Sequence, residues 1–161
     1  MRTASVLASL VVAVAGPGGA ATTTLGEQVT HRPNAESKSI TTSVRSLYVV
    51  HCAGCHGIDG AGAKAANVPD MRRLGNFLRL EGGREFVIKV PGVMGSGLSD
   101  QQVADVTNWL LATMAKDSVP EGNLPYDAAE VQRARAVPLV DVAAARSRLA
   151  AQARERGVTI D

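Results

Sequence analysis

Both cysteines of this 161-residue chain lie in one short stretch, H-C-A-G-C-H-G at residues 51–57, with two of its three histidines. Thiols and imidazoles this close can make a disulfide, a redox dithiol, a zinc site or a haem attachment site. A structural zinc site takes four ligands, typically as two pairs from separate parts of the chain, and there is no second pair here. A thioredoxin-like dithiol sits at a helix N-terminus after a strand, whereas this C-x-x-C follows a helical pattern with no sheet in view. A disulfide suits an exported chain but gives His56 no task. The pattern C-x-x-C-H uses all three side chains. Cys52 and Cys55 add to the two vinyl groups of a haem as thioethers, and His56 binds the iron. Haem c, one per chain, is therefore the expected cofactor. Disulfide and dithiol stay as the alternatives for the two thiols.

The elements around this stretch must hold it. Ile40, Val44, Leu47 and Tyr48 fall at i, i+4, i+7 and i+8, which predicts a helix over about 37–50 leading into the cysteines. Residues 57–76 carry Gly57, Gly60, Gly62, Pro69 and Gly75 with little periodicity and read as loop. A short turn is expected at 77–80 and a short helix over 84–90 with Phe86, Val87 and Val90 inward, stopped by Pro91-Gly92. Residues 93–98 read as loop. Ser99 with Gln102 three residues on is a capping box. It opens a helix whose apolar face is Val103, Val106, Leu110, Leu111 and Met114, with Trp109 beside it. Two further helices are expected over 128–136 and 141–156. No strand is convincing, so the fold class is all-α: a small helical domain with a helical C-terminal extension.

Met1 and Arg2 precede an apolar run, V-L-A-S-L-V-V-A-V at residues 6–14, and then small residues. This predicts an export signal over 1–20, followed by a polar leader over 21–38, a core domain over 39–116 and the extension over 117–161. The apolar run is too short to span a bilayer stably, so the mature form is expected to have no membrane span and to work in the periplasm of a Gram-negative cell. A formal net charge of +2 is too small to argue for nucleic acid. Only five aromatic residues occur: Tyr48, Phe77, Phe86, Trp109 and Tyr126. Rings normally supply much of a core's buried area, so such a domain needs bulk from a buried cofactor or from an aliphatic core.

The segment L-Y-V-V-H-C-A-G-C-H-G-I-D-G-A-G resembles the haem-binding segment of class I monohaem cytochromes c, in which a helix ends in C-x-x-C-H-G before a D-G-x-G loop. The resemblance covers roughly residues 39–116. It implies a small helical domain wrapped around a covalent haem. That family has Pro-x-Leu about a dozen residues after the haem histidine, and the proline carbonyl accepts a hydrogen bond from the histidine Nδ1–H. Pro69-Asp70-Met71 stands at the matching place, with Met71 where the leucine packs on the haem. The family's last helix begins L-S-D and carries an aromatic, matched by Leu98-Ser99-Asp100 and Trp109.

The family's usual second iron ligand is a methionine in the loop before that helix, which implies Met94 in V-P-G-V-M-G-S-G-L-S-D. Met114 reads as core, and Met71 lies on the same leg of chain as Pro69. The sequence departs from the family in following Met94 with Gly-Ser-Gly. Loose ligation there would leave the iron open and make the chain a haem enzyme or gas sensor. His31 and His51 read as solvated. The arginines Arg72, Arg73 and Arg79 suit either haem propionates or solvent, and those of the tail read as a solvated face or a packed one. The resemblance implies an electron carrier, not an enzyme, exchanging single electrons with redox proteins such as a periplasmic dehydrogenase or a terminal oxidase. A haem subunit of a dehydrogenase complex is the alternative.

Overall fold

Side-chain caps divide the chain into short helices. The structure is a computed structural model that describes residues 43–160. The expected export signal and leader, with His31 and Ile40, lie outside those residues. Ser43 opens α1 (Val44–His51), its Oγ accepting the Ser46 N–H at 3.1 Å. The helix buries Leu47 and Tyr48, breaks at Cys52 (φ −127°) and resumes for one turn as α2 (Ala53–His56).

The stretch read as loop is more ordered than its composition suggests. After a short 3-10 turn at Lys64–Ala66, a nine-residue 3-10 run spans Met71–Arg79. Such runs seldom exceed 3–4 residues. This one starts where the Asp70 carboxylate accepts the Arg72 N–H at 2.9 Å. It is pinned in its middle, where the Gly75 N–H donates to Ser118 Oγ at 3.0 Å. Its tighter winding explains why the sequence shows no 3.6-residue pattern there.

Helix α3 (Gly83–Lys89) buries Phe86, Val87 and Ile88. Val90, expected inward, is half-buried in an extended link. Pro91 does not simply stop this helix. It begins another, α4 (Pro91–Met94), because its fixed φ and missing N–H suit the first helical position. Met94 therefore ends a helical turn, and only 95–98 is loop. The capping box is present: Ser99 Oγ accepts Gln102 N–H at 3.2 Å while Gln102 Oε1 accepts Ser99 N–H at 2.9 Å. It opens α5 (Asp100–Thr113). Asp127 and Asp141 cap α6 (Ala128–Arg135) and α7 (Val142–Glu155). Among the described residues there is no strand, and the fold is all-α.

The core forms where α1 meets α5. Helix α6 lies on α5 and α3, and α7 touches α3. The side chains of the tail join the same apolar cluster: Tyr126, Val131, Ala134, Ala145, Leu149, Ala153 and Ile160 are all buried with Leu47, Phe86 and Leu110. Polar contacts fix the register. The Asn108 amide pairs with both backbone groups of Tyr126, at 2.8 and 2.9 Å. The Arg84 guanidinium bonds Glu130 Oε2 at 2.8 Å and lies 3.9 Å over the Tyr126 ring. The aliphatic side chains of the tail thus supply bulk that a ring-poor chain needs.

Val131 is fully buried, so Val131→Ala should cost about 2 kcal/mol, measured as a shift in the urea midpoint of the whole domain. An unchanged midpoint would mean that the tail unfolds separately. Tyr126 donates its hydroxyl to Arg84 O at 2.9 Å, and burial pushes its pKa up. A raised pKa favours the neutral phenol in the fold. Its contribution is therefore complete below about pH 10, the ordinary tyrosine value, and is lost as pH rises beyond it. Tyr126→Phe should flatten the alkaline fall in stability, read from urea midpoints across that range.

Candidate haem-binding site

Helices α1, α2 and α5 frame the cysteine stretch. Helix α1 delivers Cys52, and the single turn of α2 delivers Cys55 and His56. Tyr48, one turn before Cys52, is 1 % exposed and donates its hydroxyl to Gly57 O at 2.6 Å. That bond ties the end of α2 back onto α1. The Trp109 ring on α5 packs on Tyr48 with centroids 5.3 Å apart and planes at 45°. Trp109 thus bears on the cysteine segment through Tyr48. The sequence does not single out Tyr48 as part of the site, because it matches the apolar stripe of α1.

The two thiols are not joined to each other. Cys55 is exposed and Cys52 half-buried, and burial pushes the Cys52 thiol up. His56 Nδ1 donates to Pro69 O at 3.1 Å, the bond that the resemblance implied. With Nδ1 carrying the proton, Nε2 keeps the lone pair that a metal takes, and the carbonyl fixes the ring's orientation.

The glycine loop makes that bond geometrically feasible. Gly62 N–H donates to His56 O at 2.9 Å, and Met71 N–H donates to Gly60 O at 2.8 Å, so the chain folds back beside the histidine. Gly62 has φ +70°, and a Cβ there would lie 2.4 Å from Pro69 O. Only glycine lets the acceptor carbonyl pass so close. At Gly60 (φ +73°) a Cβ would meet Met114 Sδ at 3.0 Å and Met71 Cβ at 3.5 Å. Met71 and Met114 therefore both pack at this junction. Met94 is on a different element, at the end of α4, and is half-buried.

Of the arginines weighed for propionates, Arg72 forks onto Asp70, with Nη2 to Oδ2 at 2.7 Å, and holds that carboxyl below its usual range. Arg79 reaches Ser118 O at 3.4 Å. Lys89 pairs with Glu85 at 2.8 Å and Arg84 with Glu130, so both cations have partners within the chain. The tail is not simply a solvated face. Arg135 reaches Leu98 O, Asp100 and Met94 O, contacts across 35 to 41 residues that no sequence spacing signals.

The donor set fits haem. It offers two unpaired thiols at one helical turn and an imidazole whose Nδ1 is held by a carbonyl, with Met71 packed at the loop beside them. Among the described residues, no three His, Cys, Asp or Glu side chains gather to hold a bare ion. The profile of the family described as "Cytochrome c" matches residues 41–113. A protein named cytochrome c-552 from Thermus thermophilus is 32 % identical over 106 residues, covering 55 % of this chain and 81 % of the relative. A second cytochrome c-552, from a named strain of the same species, is also 32 % identical over 106 residues, with 72 % of its length covered.

The chain belongs to the cytochrome c family. It is a class I c-type cytochrome. Covalently bound haem c with its iron comes with that membership, and Cys52 and Cys55 fit the attachment pattern. Its place is in electron transport.

In this cytochrome, Gly62→Ala forces a side chain into Pro69 O and an unfavourable φ. The holoprotein should lose at least about 2 kcal/mol, and the proton on His56 Nδ1 should exchange faster by NMR. Wild-type stability with unaltered exchange would show that the crossing tolerates a Cβ.

Proposed function

We propose that this cytochrome c is an exported one-electron carrier whose iron is held by His56 and Met94. The observation that carries the reading is the His56 Nδ1–Pro69 O bond, which orients the imidazole beside two unpaired cysteines. When bound, haem c supplies a reversible one-electron couple at its iron. Cys52 and Cys55 would hold it by thioether bonds. His56 Nε2 would hold the iron, with Pro69 O raising its basicity through Nδ1.

Packing supports Met94 as the other ligand. Met71 and Met114 are both engaged at Gly60, beside the loop that follows His56. Met94 ends a helical turn on another element, and a thioether suits this iron and raises its potential. Val49, Val50, Cys55 and Ile58 are exposed along the attachment segment. That apolar border would serve transient docking of redox proteins, a periplasmic dehydrogenase as donor or a terminal oxidase as acceptor. Support for export comes from the apolar run at residues 6–14 and from haem c attachment taking place outside the cytoplasm. Among the described residues, no helix is long and apolar enough to cross a membrane.

The ferric protein should show the weak far-red sulfur-to-iron charge-transfer band of a methionine ligand, and the ferrous protein should not bind carbon monoxide readily. Met94→Ala should abolish the band while haem stays covalently attached. A band that survives Met94→Ala and vanishes in Met71→Ala would transfer the role to Met71. A high-spin wild-type spectrum would favour an enzyme or gas sensor.

A further inference from the structure

We infer that Arg135, on the C-terminal tail, is a positioning residue that clasps the Met94 loop and sets how firmly Met94 is held. The inference rests on the proposed role of Met94 and adds a control on it from outside the family's matched segment, which ends at residue 113. Arg135 stands in the last turn of α6 with its side chain 20 % exposed. Its Nη1 donates to Leu98 O at 3.0 Å and to Asp100 Oδ1 at 2.9 Å, and its Nη2 donates to Met94 O at 3.3 Å. One planar guanidinium therefore holds both ends of Gly95-Ser96-Gly97 and the first residue of α5.

The loop needs such a tie. Its two glycines give it wide backbone freedom, and Gly97 sits at φ +72°. Its internal bonds are local: Ser96 Oγ donates to Val93 O at 2.8 Å and accepts the Leu98 N–H at 3.3 Å. The Met94 and Leu98 carbonyls gain their link to the tail through Arg135. The arginine is itself fixed, because α6 is anchored by Val131 and Ala134, both buried. A guanidinium can serve three acceptors in one plane, whereas a lysine ammonium on a flexible stem cannot reproduce that fork. The tail thereby links docking of α6 to the grip on Met94.

The test uses the full-length holoprotein and imidazole as a competing ligand for the ferric iron. Arg135→Ala should bind imidazole roughly tenfold more tightly than wild type, lose intensity in the methionine charge-transfer band and show a lower reduction potential. Arg135→Lys should fall between the two. Leu149→Ala, in α7, is the control for plain destabilisation: it should lower the urea midpoint but leave imidazole affinity near wild type. Hydrogen exchange at Gly95, Ser96 and Gly97 should quicken in Arg135→Ala and not in Leu149→Ala. If Arg135→Ala fails to fold, Asp100→Asn and Arg135→Lys carry the comparison. Wild-type imidazole affinity in the Arg135 variants, with Met94→Ala still abolishing the band, overturns the clasp and leaves the ligation intact. A band that survives Met94→Ala overturns the ligation, and the role of the clasp with it.

Discussion

The close passage of the Pro69 carbonyl over Gly62 to meet His56 Nδ1 is the contact on which the site depends. An imidazole offers two nitrogens, and a metal ligand needs one of them free and aimed. The carbonyl can be within reach only if the intervening chain doubles back tightly. The Gly62–His56 and Met71–Gly60 backbone bonds fold it back, and the absence of a Cβ at Gly62 leaves the space. The glycines of the D-G-A-G stretch are therefore part of the histidine's positioning.

The remainder of the fold supports that passage from behind. Tyr48 joins α1 to the end of α2 through Gly57 O, and Trp109 packs Tyr48 against α5. Helix α5 is in turn covered by α6. Four of the chain's five aromatic residues form two ring pairs, Tyr48 with Trp109 and Phe77 with Phe86. The fifth, Tyr126, fastens the tail to α3. The bulk that these rings do not provide comes from Val131, Leu149, Ile160 and small alanines that allow close approach of the tail helices.

Charge is used mostly within the molecule. Arg84, Arg72, Lys89 and Arg135 each have an acidic partner on the chain. The pair with the most exposed cation, Arg72 with Asp70, adds little stability. The half-buried ones serve register: Arg84 binds the tail to α3, and Arg135 binds it to the loop after Met94. Both use the forked geometry of arginine to hold backbone carbonyls together with a carboxylate.

What the sequence by itself determined was local. The spacing C-x-x-C-H, the capping box at Ser99 and the apolar stripes of α1 and α5 are patterns over a few residues, and helices and covalent attachment are written at that range. The 3-10 run at Met71–Arg79 leaves no such mark, because its winding follows no 3.6-residue period and is held by Ser118, 43 residues from Gly75. Proline at 91 reads as a stop because a missing N–H ends one helix and begins another equally well. The tail's arginines read as either solvated or packed because a charge on a short helix carries no mark of what it will face. Only tertiary packing decided that Arg135 would meet the carbonyls of Met94 and Leu98, since a hydrogen bond across 41 residues depends on how α6 docks and not on any neighbour in the chain.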